Sequence, residues 1–234
     1  MCKLKSAIIL KDRIFLPDYD SHSDMLNELG IKDDYLGASK KFVRAELSPI
    51  DNDVFTDVDG WQFKVDQDIT PEWFSEEEYK PKMVEAVKEW AKAHIHIGVD
   101  GLKIGSCEKH WVKDCKNVYV WDSASVKACG SASVEAWGSA SVKAWDSASV
   151  KACGSASVEA WDSASVKACG SASVKAWGSA VIFNSLYSRW YKQDTLILSE
   201  NATFKDNIGK VIYQSGDFKL ISVESGKKIG EREE

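Results

Sequence analysis

Residues 121–184 read WDSASVKA CGSASVEA WGSASVKA WDSASVKA CGSASVEA WDSASVKA CGSASVKA WGSAVIFN, eight octads in tandem. Self-similarity at a fixed short period is the signature of a repeat architecture, in which each unit buries its apolar face only against its neighbours. Within the octad, positions four, six and eight are Ala, Val and Ala through the seventh repeat. Positions three, five and seven are Ser, Ser and Lys or Glu. A period of two puts one set on each side of a strand, with Ala-Val-Ala inward and the polar set outward. Gly or Asp at position two marks a turn that needs an unusual backbone conformation. A helix would scatter these residues around its axis, a coiled coil needs period seven, and Val, Ser and Gly at this density disfavour helix. The expected fold is therefore mainly β: a parallel β-solenoid of octapeptide repeats.

A coil of two octads has two sides and sixteen residues; one of three octads has three sides and twenty-four. Residues 121–144 and 145–168 differ only at Gly138 against Asp162, which favours the longer period. Packing favours the shorter one. A triangular prism with eight-residue edges encloses more space than Ala-Val-Ala walls can fill at interior density, whereas two closely packed sheets can be filled by alanine and valine. The sixteen-residue coil is the expectation.

Position one runs Trp121, Cys129, Trp137, Trp145, Cys153, Trp161, Cys169, Trp177. A buried site would not accept Trp and Cys interchangeably, because cavities and overpacking both destabilise. These residues belong at the solenoid corners. Sixteen-residue coils stack Trp145, Trp161 and Trp177 on one edge and bring Cys153 beside Cys169; twenty-four-residue coils bring Cys129 beside Cys153. Exposed aromatic rows mark partner surfaces, so Trp121, Trp137, Trp145, Trp161 and Trp177 are the candidate binding residues.

Outward from the array, Val118 and Val120 continue the frame backwards, giving an entry coil at 101–120 ahead of the octads at 121–184. Residues 185–234 read as a C-terminal β cap, with strands at Leu196–Leu198, Val211–Tyr213 and Phe218–Val223, turns at Asn207–Gly209 and Ser215-Gly216, an interruption at Tyr187, Trp190 and Tyr191, and a frayed polar tail from Gly226. Such caps matter because open coil edges invite self-association. Residues 1–100 read as a small N-terminal α+β domain. Ala7–Leu10 and Arg13–Leu16 suggest a hairpin, Ser23 a helix cap ahead of Met25, Leu26 and Leu29, and Phe42–Leu47 and Trp61–Val65 two strands. Thr70-Pro71-Glu72 reads as a helix start, ahead of an amphipathic helix from about Lys82 to His94.

The chain has 234 residues and a net charge of -6. Residues 1–100 hold 21 acidic and 13 basic side chains, a net of -8, which leaves +2 beyond them. No basic stripe for nucleic acid appears. No apolar run approaches a signal peptide or a membrane span, so the expected location is cytoplasmic, with neither nucleic-acid nor membrane partners. Six cysteines in such a chain read as reduced thiols.

The sharpest chemical constellation is His94, His96, Cys107, His110 and Cys115, which contains a C-x2-H-x4-C stretch. Zinc takes such ligands, but the spacing matches no standard finger, so the expected cofactor is none, with zinc as the alternative here. Acidic Asp51, Asp53, Asp57, Asp59, Asp66 and Asp68 fail as an EF-hand, because Thr56 and Gln62 stand where a loop from Asp51 needs Gly and Glu. No GxSxG, Walker A or HExxH motif occurs.

The octads SASVKAW and CGSASVEA, together with VDQDITPEWF at Val65–Phe74, resemble uncharacterised proteins of gut bacteria and their phages or prophages that carry variable numbers of similar repeats. The resemblance implies no activity and supplies no functional residues. The expected function is a non-enzymatic scaffold that contacts a protein partner through the Trp edge or the acidic N-terminal unit. The alternatives are a carbohydrate-binding module using the Trp row and a metal-dependent enzyme within residues 1–115.

Overall fold

The computed structural model describes residues 5–32, 41–105, 107 and 109–184, together with the strand backbones at 196–198, 203–205, 211–213, 218–224 and 227–232. The chain divides into two compact units, Met1–Ile95 and His96–Glu234.

The first unit is an antiparallel four-stranded sheet in the order β2-β1-β3-β4, from β1 (Lys5–Ile9), β2 (Ile14–Phe15), β3 (Val43–Ser48) and β4 (Gln62–Val65). Alternation gives the sheet two buried faces. Ala7, Ile9, Val43, Ala45 and Leu47 pack against Tyr79, Met83 and Val87 of helix α2 (Glu76–His94), so the apolar stripe of that helix covers this sheet. Ile8 and Phe42 pack against Met25 and Leu26 of helix α1 (His22–Glu28).

Both helices begin at serines other than the expected caps. Ser21, two residues before Ser23, accepts the Asp24 N–H at its hydroxyl. Ser75 accepts the Glu78 N–H at 3.2 Å and starts α2 well ahead of Lys82. Three glutamates in the first turn suit the positive end of the helix dipole, and together with the serine they carry the helix through Pro81 despite the lost N–H. Pro71 instead closes a short turn, its carbonyl accepting the Phe74 N–H. In the acidic loop, Asp53 and Asp57 accept backbone N–H groups two residues on, from Phe55 and Asp59, so these carboxylates build turns.

The second unit is a two-sided parallel β-solenoid. One sheet contains β6 (Lys103–Ile104), β8 (Val118–Val120), β10 (Ser133–Ala136), β12 (Ser149–Ala152), β14 (Ser165–Ala168) and β16 (Val181–Asn184). The other contains β5 (Ile95–Ile97), β7 (Lys109–Lys113), β9 (Ser125–Cys129), β11 (Ser141–Ala144), β13 (Ser157–Ala160) and β15 (Ser173–Ala176). Val134 pairs with Val150 and Val142 with Val158, an offset of sixteen, so the coil is two octads. The solenoid begins at β5, ahead of the expected entry at 101, because the Ile95-His96-Ile97 alternation follows α2 directly. Its core between the sheets consists of the repeat alanines and valines, nearly all with no exposure, and larger residues enter at Ile104 and Ile182.

Past the array the coil lengthens. Val174 pairs with Leu196 of β17 (Leu196–Leu198) and Val181 with Thr203 of β18 (Thr203–Lys205), an offset of twenty-two in both sheets. Antiparallel strands then end each sheet: β19 (Val211–Tyr213) on β18, and β20 (Phe218–Glu224) with β21 (Lys227–Arg232) on β17. The polar tail expected to fray is thus largely strand, as Leu220 and Val223 of β20 pair with Gly230 and Lys228. The expected turns at Asn207–Gly209 and Ser215-Gly216 and the interruption at Tyr187, Trp190 and Tyr191 lie outside the described residues.

Candidate functional site

Each octad spends four residues on strand and four on a corner. At the corner, position two takes a left-handed backbone, with φ between 55° and 57° at Asp122, Asp146 and Asp162 and between 63° and 71° at the repeat glycines. Position three returns the chain, its N–H reaching the carbonyl of position two one coil earlier, as Ser155 does to Gly138 at 3.0 Å. Its hydroxyl reaches the same carbonyl at 3.1 Å, so the repeat serine at this position is a structural tie. In the corner that precedes the octads on the other edge, Asp114 does similar work, accepting the Ser131 N–H at 2.7 Å and the Ser131 hydroxyl at 3.0 Å. The Ser131 N–H and then its hydroxyl hold the Asp114 carboxyl below its ordinary pKa.

These corners carry position one to the surface, partly buried, and stack it with itself. Trp145, Trp161 and Trp177 form a continuous column on one edge: successive ring centroids are 5.0 Å apart, with interplanar angles of 7° and 10°. On the other edge Trp137 stacks on Tyr119 at 6.0 Å. A Cβ at Gly105, one coil before Trp121, would collide with the Trp121 indole, so glycine there lets that ring lie on the backbone. Further along the same edge, Cys153 and Cys169 meet in a disulfide with a Cα–Cα distance of 4.8 Å. This corrects the expectation that every cysteine is a reduced thiol: the sixteen-residue register puts these two corners on successive coils.

A cationic ladder runs beside the Trp145 column on the β7-β9-β11 sheet. Lys109 lies 5.2 Å from the Trp111 ring centroid, Lys127 lies 5.9 Å from Trp111 and 6.0 Å from Trp145, and Lys143 lies 5.6 Å from Trp161. Lys143 also pairs with Glu159 at 2.6 Å. Burial, and then the charges of Lys109 and Lys143, push the Lys127 pKa down. The edge thus joins an aromatic strip to a strip of lysines. Sequence reading found the aromatics; it missed the lysines, because a net charge summed over the array cancels them against the array's carboxylates, Glu159 on the next rung of the same ladder among them.

The His/Cys constellation disperses. His96 and His110 lie together, with Nε2 to Nδ1 at 3.3 Å and nearly parallel rings. Cys115 is turned into the solenoid core, its thiol donating to the His96 and Lys113 carbonyls, while Cys107 is exposed. His94 belongs to the first unit: its Nδ1 donates to the Trp90 carbonyl at 2.7 Å and its ring stacks on Trp90. Among the described residues, the three-donor grouping of metal-ligating side chains is a different one, His22, Glu46 and Asp66. No helix among the described residues is long and apolar enough to cross a membrane. No protein-family model, no curated protein and no solved structure matches the chain.

Proposed function

We propose that the protein is a non-enzymatic binding scaffold whose contact surface is the Trp145–Trp161–Trp177 column with Lys127 and Lys143 beside it. The observation that carries this reading is the column itself: three partly buried indoles held in register by three successive coils. Tryptophan and cations in a rigid array combine large contact area with little conformational entropy left to lose, the character of an interface hot spot. The partner this chemistry suits is a protein surface that offers apolar side chains flanked by carboxylates, which would meet indole edges and lysine ammonium groups together. A carbohydrate reading is weaker on this edge. Sugars stack on open aromatic faces, and here the ring faces are spent on one another.

The test is affinity capture from extract of the source cells. It compares the wild type with Trp145/Trp161/Trp177→Ala, with Lys127/Lys143→Glu, and with a control on the other sheet, Lys151/Lys167→Ala. The reading expects one partner retained by the wild type and the control and lost by at least tenfold with the first two variants. Equal capture by all four proteins would sink it.

A further inference from the structure

Three ligand-bearing side chains, far apart in sequence, converge in the N-terminal unit. His22 opens α1, Glu46 lies in the middle of β3, and Asp66 directly follows β4. One donor atom from each lies within 4.8 Å of the other two, and His22 Nδ1 is 3.7 Å from Asp66 Oδ2. Donors sharing a tetrahedral zinc, at bonds of roughly 2.0–2.2 Å, stand about 3.5 Å apart. Small side-chain rotations therefore close the set.

The tautomer of the neutral imidazole is set by its other nitrogen. His22 Nε2 lies 3.3 Å from the Ala45 carbonyl, and a carbonyl only accepts, so Nε2 carries the proton in that bond. In the neutral ring the Nδ1 lone pair then faces Asp66. A backbone carbonyl fixing the tautomer from behind is the support that metal-binding histidines ordinarily have. His22 and Glu46 are both more than nine-tenths buried, with exposures of 6% and 3%. The third arm is anchored as well: the Asp66 N–H donates to the Arg44 carbonyl at 2.8 Å, and the Gln67 amide bridges the Arg44 N–H and the Phe42 carbonyl. Lys64 occupies Asp66 Oδ1, which leaves Oδ2 turned to the histidine.

We propose that His22, Glu46 and Asp66 form a binding site for a divalent first-row transition-metal ion, zinc foremost, with a coordination position left open on the exposed Asp66 side. One imidazole and two carboxylates suit zinc and its neighbours better than calcium or magnesium, which prefer all-oxygen shells. The metal would tie α1 to β3 and to the end of β4, and its binding energy would add to the stability of the unit.

The experiment uses the full chain, stripped with chelator and titrated with Zn2+ by calorimetry, with far-UV circular dichroism to confirm that each variant is folded. One equivalent should bind with micromolar or tighter affinity and raise the melting temperature. Asp66→Asn, a change at an exposed position, and the isosteric Glu46→Gln should each weaken binding at least tenfold while leaving the metal-free protein folded. Cys107→Ala and His96→Asn should leave binding unchanged. Absence of stoichiometric binding, binding that survives Asp66→Asn and Glu46→Gln, or loss of binding in Cys107→Ala or His96→Asn would each overturn the assignment.

Discussion

Trp145 and Trp161 lie one coil apart with their ring centroids at 5.0 Å and their planes within 7° of parallel. Trp161 repeats that relation with Trp177, so the middle ring makes both contacts and each outer ring makes one. Stacked aromatic pairs contribute about 0.5–1.5 kcal/mol each beyond area burial. Loss of stacking alone should therefore make Trp161→Ala cost the solenoid about 1–3 kcal/mol and Trp145→Ala roughly half as much, each on top of the burial lost. Coupling between stacked indoles should also give the wild type an exciton couplet in circular dichroism that Trp161→Ala removes. Equal stability losses, with the couplet intact, would contradict the column.

The Cys153–Cys169 link provides a chemical test of the coil. Trypsin cleaves after Lys151, Lys167 and Lys175, so the linked species joins peptides 152–167 and 168–175. Air-oxidised protein should yield that pair, and a Cys129–Cys153 product would require the longer period. The closed loop has a sequence separation of sixteen, and a crosslink of that size stabilises by ~3 kcal/mol. Adding reductant should lower the solenoid melting temperature in the wild type and leave Cys153→Ser unchanged.

The coil period was readable in advance because it follows from volume. Alanine and valine fill the gap between two close sheets and cannot fill a prism, and Val134, Val142, Val150 and Val158 sit at or below 1% exposure as that requires. The Trp edge followed from the register alone. Helix starts were harder: Thr70-Pro71-Glu72 reads as a cap, but α2 starts after Ser75, and its Tyr79 packs into the core beneath the sheet. The His22, Glu46 and Asp66 grouping was invisible for a different reason. Its members are about twenty residues apart on three elements, and no spacing rule joins residues that antiparallel pairing and one short helix bring together.

Gly154 isolates the demands of the corner. Its φ is +69°, and a Cβ there would sit 3.2 Å from the Gly138 backbone nitrogen. A left-handed conformation costs an ordinary residue roughly 1–2 kcal/mol, and a β-branched side chain more. Gly154→Val should therefore cost at least ~2 kcal/mol. Asp tolerates the same backbone, as Asp146 and Asp162 show on successive coils of the other edge. Gly154→Asp should then cost no more than ~1 kcal/mol. Chemical denaturation of the two variants compares them, and equal losses would mean that volume, not backbone conformation, limits the corner.

Lys5 tests the electrostatics of the first unit. It has no exposure, its ammonium donates to the Pro17 carbonyl, Asp20 lies at 3.7 Å, and the Trp90 ring lies beneath at 4.6 Å. Burial pushes its pKa down, against a smaller upward pull from Asp20 and Asp18. The folded pKa is thus below the unfolded one, and between the two values the unfolded chain holds more protons. Wild-type stability should accordingly gain from this group as pH rises towards 10.5, the value for a free lysine. Lys5→Met removes the buried charge and leaves Asp20 partly hydrated, so the variant should be at least as stable as the wild type at pH 7. Its advantage should then shrink as pH rises from 7 towards 10.5, because the lowered pKa lets the folded wild-type lysine lose its proton before the unfolded one does. Urea unfolding of both proteins across that range measures the difference. An advantage that grows with pH would mean that Asp18 and Asp20 outweigh burial and that the ammonium is held as a net stabilising ion pair.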